Sequence, residues 1–341
     1  MRLVSSLMLR SVIPRLCAAA GLLGGIGGLV LAQAPAPPAN PDAAVRAAQV
    51  LSDTRQALGG NALEAVKTVV ATGHTRRVRG NNLVPIEFEI FMELPDKYVR
   101  VDEFPAEDAD PTSAGFNGNA LVQNPPPPAA PPGAPPAGRG TPPGPTPVGR
   151  PGMDPRQMRI MTVKQDYTRL TLGMFAASTA MPLTFTYAAI AEAPQGQADV
   201  LDVKGEGNVA MRLFISRQTR LPIMVTWNTP PTNVIVTVPG QDPPKTVAPG
   251  AVVVTGPPPP SAGAPKEDTD KYAKDVLALR AKAQATPVEH RLYFGDYREV
   301  DGVKFPFRIR RAIGQETTEE TTFDRFRINT RIDPKKFEPV K

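Results

Sequence analysis

Apolar side chains fall on every second position along much of this chain. Residues 303–310 read Val-Lys-Phe-Pro-Phe-Arg-Ile-Arg, so Val303, Phe305, Phe307 and Ile309 share one face while Lys304, Arg308 and Arg310 take the other. A two-residue period belongs to a strand with one buried and one wetted side. Asp301-Gly302 just before it signals a hairpin turn, because glycine accepts a positive φ without steric cost. The same alternation sets Ile86, Phe88, Ile90 and Met92 against Glu87, Glu89 and Glu93, and Met211, Leu213 and Ile215 against Arg212. Strand patterns also cover 68–78, 97–104, 183–190, 198–205, 208–216, 221–227, 288–300 and 317–329. Pro306 interrupts the ladder donors of its strand, which predicts an edge position or a local bulge.

A helical period replaces alternation in three places. Asn40-Pro41 opens a helix over 41–58 that Gly59-Gly60 ends, with Ala62–Val66 as a further turn. Asp154-Pro155 opens a second helix, in which Val163, Tyr167, Leu170, Met174 and Ala177 form one apolar stripe. Residues 268–284 form the third. About ten one-faced strands predict a mainly β, α+β fold. The expected architecture is a strongly curved antiparallel sheet or incomplete β-barrel, covered by a few amphipathic helices.

Prolines number 41 in the 341 residues and concentrate in two tracts, at about 105–155 and 229–265. Such segments have few apolar side chains to offset ordering entropy, and proline cannot donate to a ladder. Both read as extended, mobile insertions into one β domain over 33–341, although Val234–Val238 has the pattern of a short edge strand. A proline-rich recognition ligand is the functional alternative for these tracts.

The N-terminal segment changes the picture of where the protein works. Arg2, Arg10 and Arg15 precede the short apolar run 18–32, and Val30-Leu31-Ala32 places small residues for cleavage before Gln33. This is the pattern of a secretory signal peptide over 1–32, which predicts a periplasmic protein. The single cysteine, Cys17, lies inside it, so the mature chain has no thiol or disulfide chemistry. Cleavage removes three arginines and no carboxylate, which lowers the net charge from +6 to +3. A mild, dispersed positive excess gives little reason to expect a nucleic-acid partner. Arg310-Arg311 and Lys335-Lys336 read as solvated charge.

Candidate chemistry is sparse. Gly205-Glu206-Gly207-Asn208-Val209-Ala210 matches a dinucleotide fingerprint, but a strand pattern follows where the motif needs a helix, so the glycines close a hairpin. His74 and His290 are the only histidines, neither at ligand spacing nor beside a nucleophile motif, and both read as surface residues. Glu107, Asp108 and Asp110 lack the spaced loop of a calcium site. No cofactor or metal is expected, and no enzymatic activity.

The early helix running into Lys67–Val78, the order of strands, and the closing stretch Phe294–Arg311 with Thr321–Pro339 resemble the LolA/LolB-like periplasmic carriers of lipoproteins and lipids. The similarity covers most of 42–104 and 158–341, and the proline-rich tracts depart from it. The resemblance implies a helix-lidded half-barrel around an apolar cavity for acyl chains. Parity turns Phe88, Phe185, Tyr187, Trp227, Phe294, Phe305 and Phe307 inward; with Ile90 and Leu213 they are the expected lining. The expected role is a non-catalytic carrier of a lipoprotein acyl chain or lipid, with an envelope protein as a further partner. The alternative is an envelope structural or regulatory module with a filled core, acting by protein–protein contact.

Overall fold

The computed structural model describes residues 41–338 except 80–81, 106–109, 127–153, 194–195, 243 and 245–246. The expected signal peptide and the centre of the first proline tract lie outside the described residues.

The chain begins with α1 (Pro41–Leu58) and the single turn α2 (Asn61–Glu64). A meander of five strands follows: β1 (Thr68–Arg79), β2 (Asn82–Glu93), β3 (Lys97–Glu103), β4 (Thr112–Asn117) and β5 (Ala120–Asn124). Helix α3 (Pro155–Phe175) separates it from a second meander: β6 (Leu183–Ala193), β7 (Gly196–Gly205), β8 (Val209–Ser216) and β9 (Pro222–Thr229). A short parallel pair, β10 (Asn233–Thr237) and β11 (Ala251–Thr255), and helix α4 (Lys266–Ala285) come next. Then β12 (Val288–Val300), β13 (Val303–Ile313) and β14 (Glu316–Ile328) close the chain, and a short 3₁₀ turn covers Pro334–Phe337.

Twelve of these strands make one antiparallel sheet, in the order β5-β4-β3-β2-β1-β14-β13-β12-β9-β8-β7-β6. The last three strands slot between the two meanders, so the sheet is seamed by the first and last strands of the described chain. It is open, because β5 and β6 are its two unpaired edges.

Its curvature follows from what α3 touches. Tyr167 packs on Phe116 of β4 with ring centroids 5.2 Å apart, while Arg169, two residues on, lies 4.2 Å from the Trp227 ring of β9. Those strands are seven places apart in the sheet. Laid flat they would be separated by roughly 34 Å at about 4.8 Å per strand, farther than two side chains of one helical turn reach. The sheet therefore bends around α3.

Local chemistry supports each element. Asp154 caps α3 by accepting the Arg156 amide at 2.9 Å, and Val163, Tyr167 and Met174 of its stripe are buried. Asp301 and Gly302 both take positive φ, 50° and 80°, which is the two-residue turn that matches strand twist. Gly207 and Asn208, at φ 69° and 63°, close the β7–β8 hairpin as the sequence requires. Val303, Phe305, Phe307 and Ile309 are buried, and Arg308 and Arg310 are exposed.

Four features differ from the sequence expectation. Residues 112–124 fall in the first proline tract yet form β4 and β5, because Phe116 and Val122 supply buried apolar groups. The second tract, read as mobile, carries the β10–β11 pair with α4 packed on it. Pro306 sits in a central strand, but the β13–β14 pairing spans Arg308–Ile313, so the proline precedes the paired stretch on that side. A second, smaller core lies on the outer face: Val70, Phe91, Val99 and Val122 pack with Ile332 and Phe337 of the closing turn.

Candidate functional site

The concave face divides into a filled part and an unfilled part. In the filled part Phe305 stacks on Phe326 at 4.6 Å, Phe175 meets Phe305 edge-on at 6.1 Å, and Phe307 and Phe323 flank Phe326 at 5.1 and 4.7 Å. Phe88 continues the chain against Phe323 at 5.3 Å. Such offset and edge contacts are those of a close-packed aromatic core.

Between α3 and strands β1–β5 and β12–β14 lies a cleft of about 540 Å³. Ile90, Val163, Leu170, Leu292, Ile309 and Phe323 give it an apolar wall. Charged groups line the same volume: Arg77, Arg100, Asp102 and Glu319 come from strands, with Arg100 directly opposite Ile90 in the β2–β3 pairing, and Arg311 faces Asp166 of α3. Arg159, at the start of α3, stands beside Gln123 near its edge, where it donates to Gln123 Oε1 at 3.0 Å.

The ions are arranged in close pairs. Arg77 Nε lies 2.9 Å from Glu319, Arg100 Nε 2.6 Å from Asp102, and Arg169 Nη1 2.8 Å from Asp166. Arg100 also donates to Thr75 Oγ1 at 3.0 Å and stacks 4.4 Å over Phe88. Arg311 approaches Asp166 only to 3.5 Å. Burial alone would raise Glu319, but Arg100, Arg77 and Arg311 outweigh it and hold the carboxyl below its usual range. Burial likewise works against Asp166, and Arg311 and Arg169 again win and lower it. Burial would lower Arg100, yet Asp102 and Glu319 raise it. Glu319 and Asp166 are therefore held as carboxylates.

Trp227 forms a second focus behind the cleft. His290 stacks on it at 5.2 Å, and its Nε2 is 2.8 Å from Thr229 Oγ1. His290 is thus half-buried rather than a surface residue; burial, then Arg311 and Arg169, lower its pKa. His74 is exposed, 3.4 Å from Asp324. Among the described residues no group of three or more His, Cys, Asp or Glu is placed to hold a metal ion.

Of the nine residues expected as lining, Ile90 borders the cleft. Phe88, Leu213, Trp227, Phe294, Phe305 and Phe307 are buried in the main core. Phe185 and Tyr187 are half-buried at its rim on edge strand β6, where Arg46 of α1 lies 3.6 Å from the Tyr187 ring. Parity marks the charged groups of the cleft as inward-facing too. Arg77 continues the inward series Ala71, Gly73, Thr75; Arg100 and Asp102 continue Tyr98; Arg311 continues Phe307 and Ile309. The Arg310-Arg311 pair is accordingly split: Arg310 lies outside, 4.2 Å from the Tyr293 ring, and Arg311 turns into the cleft.

No family model matches the chain, and no curated protein matches it. Solved structures do align with it. One from Vibrio parahaemolyticus, described as an outer membrane lipoprotein-sorting protein domain, covers 86% of this chain and 97% of its own at 7% identity and a TM-score of 0.42. A LolA superfamily protein from Nitrosomonas europaea covers the same shares at 8% identity and a TM-score of 0.41. A DUF1329 family protein from Desulfovibrio piger does so at 7% identity and 0.38. Two of the three thus carry descriptions of the group that the sequence pattern resembles. At these identities and scores the likeness is one of general architecture, and no function passes through it. Among the described residues no helix is long and apolar enough to cross a membrane.

Proposed function

We propose that this protein is an exported, non-catalytic binding protein that holds an apolar moiety, a lipid or a lipoprotein acyl chain, in the cleft beside α3. The observation that carries the reading is an unfilled volume of about 540 Å³ with an apolar wall, left inside a sheet whose remaining inner face is packed. That volume lies within the range of small-molecule sites, about 300–1,000 Å³. Transfer of an acyl chain into it would gain about 0.8 kcal/mol per buried CH₂. In this reading Ile90, Leu170, Leu292 and Phe323 touch the chain, and Phe88 and Phe305 stiffen the wall behind them.

Export rests on the N-terminal pattern, and the working compartment is the periplasm. N-terminal sequencing of the mature protein checks it: a chain that begins near Gln33 supports it, and a cytoplasmic chain that keeps Met1 refutes it.

Native mass spectrometry of protein purified without detergent tests the carrier reading. Co-purified lipid supports it. A bare mass, together with no binding of a fluorescent fatty alcohol, removes it. A second reading, an envelope module acting by protein contact, is favoured by the close-packed aromatic chain from Phe88 to Phe305. That module would bind neither probe nor lipid.

A further inference from the structure

The charge lining the cleft is not balanced. Asp102, Glu319 and Asp166 each keep one arginine within 3.0 Å: Arg100, Arg77 and Arg169. Two guanidinium groups then remain. Arg311 reaches Asp166 at 3.5 Å and stands opposite Glu319 in the β13–β14 ladder, and each of those carboxylates already has a closer arginine. Arg159 hydrogen-bonds Gln123 and pairs with no carboxylate among the described residues. Both border the same volume as the apolar wall.

A closed apolar cage would have no use for this excess, since burying unbalanced charge is costly. An excess of cation next to an apolar wall fits a ligand that carries both kinds of surface. We infer that the cleft takes an amphiphile with an anionic head group, a phosphate or a carboxylate, and that Arg311 is its principal contact with Arg159 assisting. The inference rests on the proposed function, because it assigns the head group of the same ligand. Arginine suits such a head group, since its planar fork meets two oxygens of a phosphate or carboxylate at once.

The test uses the mature full chain and a neutral fluorescent fatty alcohol as reporter. A lysophosphatidic acid, a fatty acid and a monoacylglycerol of equal chain length compete for it, with inorganic phosphate as a fourth competitor. The two anionic amphiphiles are expected to compete about tenfold better than the neutral one, the size of one charged hydrogen bond. Added salt should narrow that advantage. Arg311→Gln should abolish most of the ratio between anionic and neutral affinities, and Arg311→Lys should keep part of it. Thermal melting confirms that each variant folds. Should Arg311→Gln fail to fold, the exposed Arg159→Gln carries the same expectation at smaller size. Equal affinity for neutral and anionic chains in the wild type overturns the head-group inference and leaves the cavity reading intact. A reporter that does not bind at all removes both. Inorganic phosphate competing as well as the lysolipid would show that a free anion is the ligand, which overturns the amphiphile.

Discussion

The Phe294 ring lies directly over Gly173 of α3: a Cβ on that glycine would stand 2.2 Å from the ring's Cε1. Tyr297, on the same strand, donates its hydroxyl to the Gly173 carbonyl at 2.7 Å. Helix and sheet thus meet tightly where the glycine removes a side chain. Gly173→Ala would ordinarily gain about 1 kcal/mol in helix propensity. Here it is expected to lower stability, since overpacking costs about 1–3 kcal/mol. Urea denaturation of the single variant and of Gly173→Ala with Phe294→Leu checks it; the double variant should recover part of the loss. A single variant as stable as the wild type would show that the ring moves aside at no cost.

Phe305 is fully buried against Phe326 and Phe175. Phe305→Ala is expected to cost about 3–5 kcal/mol, as in a close-packed core. Reporter binding in the cleft should change little, because Phe305 does not border it. A small stability loss with a large loss of binding would place the ligand against Phe305.

Burial works against the Glu319 charge, but Arg100 and then Arg77, the latter 2.9 Å away, outweigh it and hold the carboxyl below the usual glutamate range. A depressed carboxyl adds stability above its unfolded pKa, and that stability is lost as pH falls through the lowered folded value. Glu319→Gln is therefore expected to be less stable than the wild type by about 1–3 kcal/mol near neutral pH. The gap should shrink in acid. Denaturant midpoints measured across the acid range test this, and a gap independent of pH would mean that the lost interaction is not ionic.

Thr229 and Val288 stand directly opposite in the β9–β12 pairing, although 58 residues separate them in sequence. The β10–β11 pair and α4 hang from this point. Opposed antiparallel residues lie about 4.5–5.5 Å apart, which a two-residue Asn-Gly turn spans. Replacing 230–287 by such a turn is expected to preserve cooperative thermal unfolding, with a small change in Tm. Loss of the cooperative transition would show that the inserted unit props up the main sheet.

Alternation alone carried the strand faces: Ile86, Phe88, Ile90 and Met92 turn inward, as do Phe305 and Phe307, because successive side chains must take opposite sides. Turn chemistry was equally local, so Asp301-Gly302 and Gly207 were legible as hairpin closures. The helix bounds near Pro41, Gly59 and Asp154 followed from capping residues. What neighbours what was not local. Pairing of β1 with β14 joins residues more than 240 positions apart, and no short-range pattern encodes that choice. Parity placed Phe305 inside but could not say whether it meets Phe326 or a void. Parity also turned Arg77, Arg100 and Arg311 inward, yet a charged residue on an apolar face makes sense only beside its partners. Asp102 is two residues from Arg100 on β3, Glu319 reaches Arg77 only through the long-range β1–β14 pairing, and Asp166 reaches Arg311 only because α3 packs on the sheet.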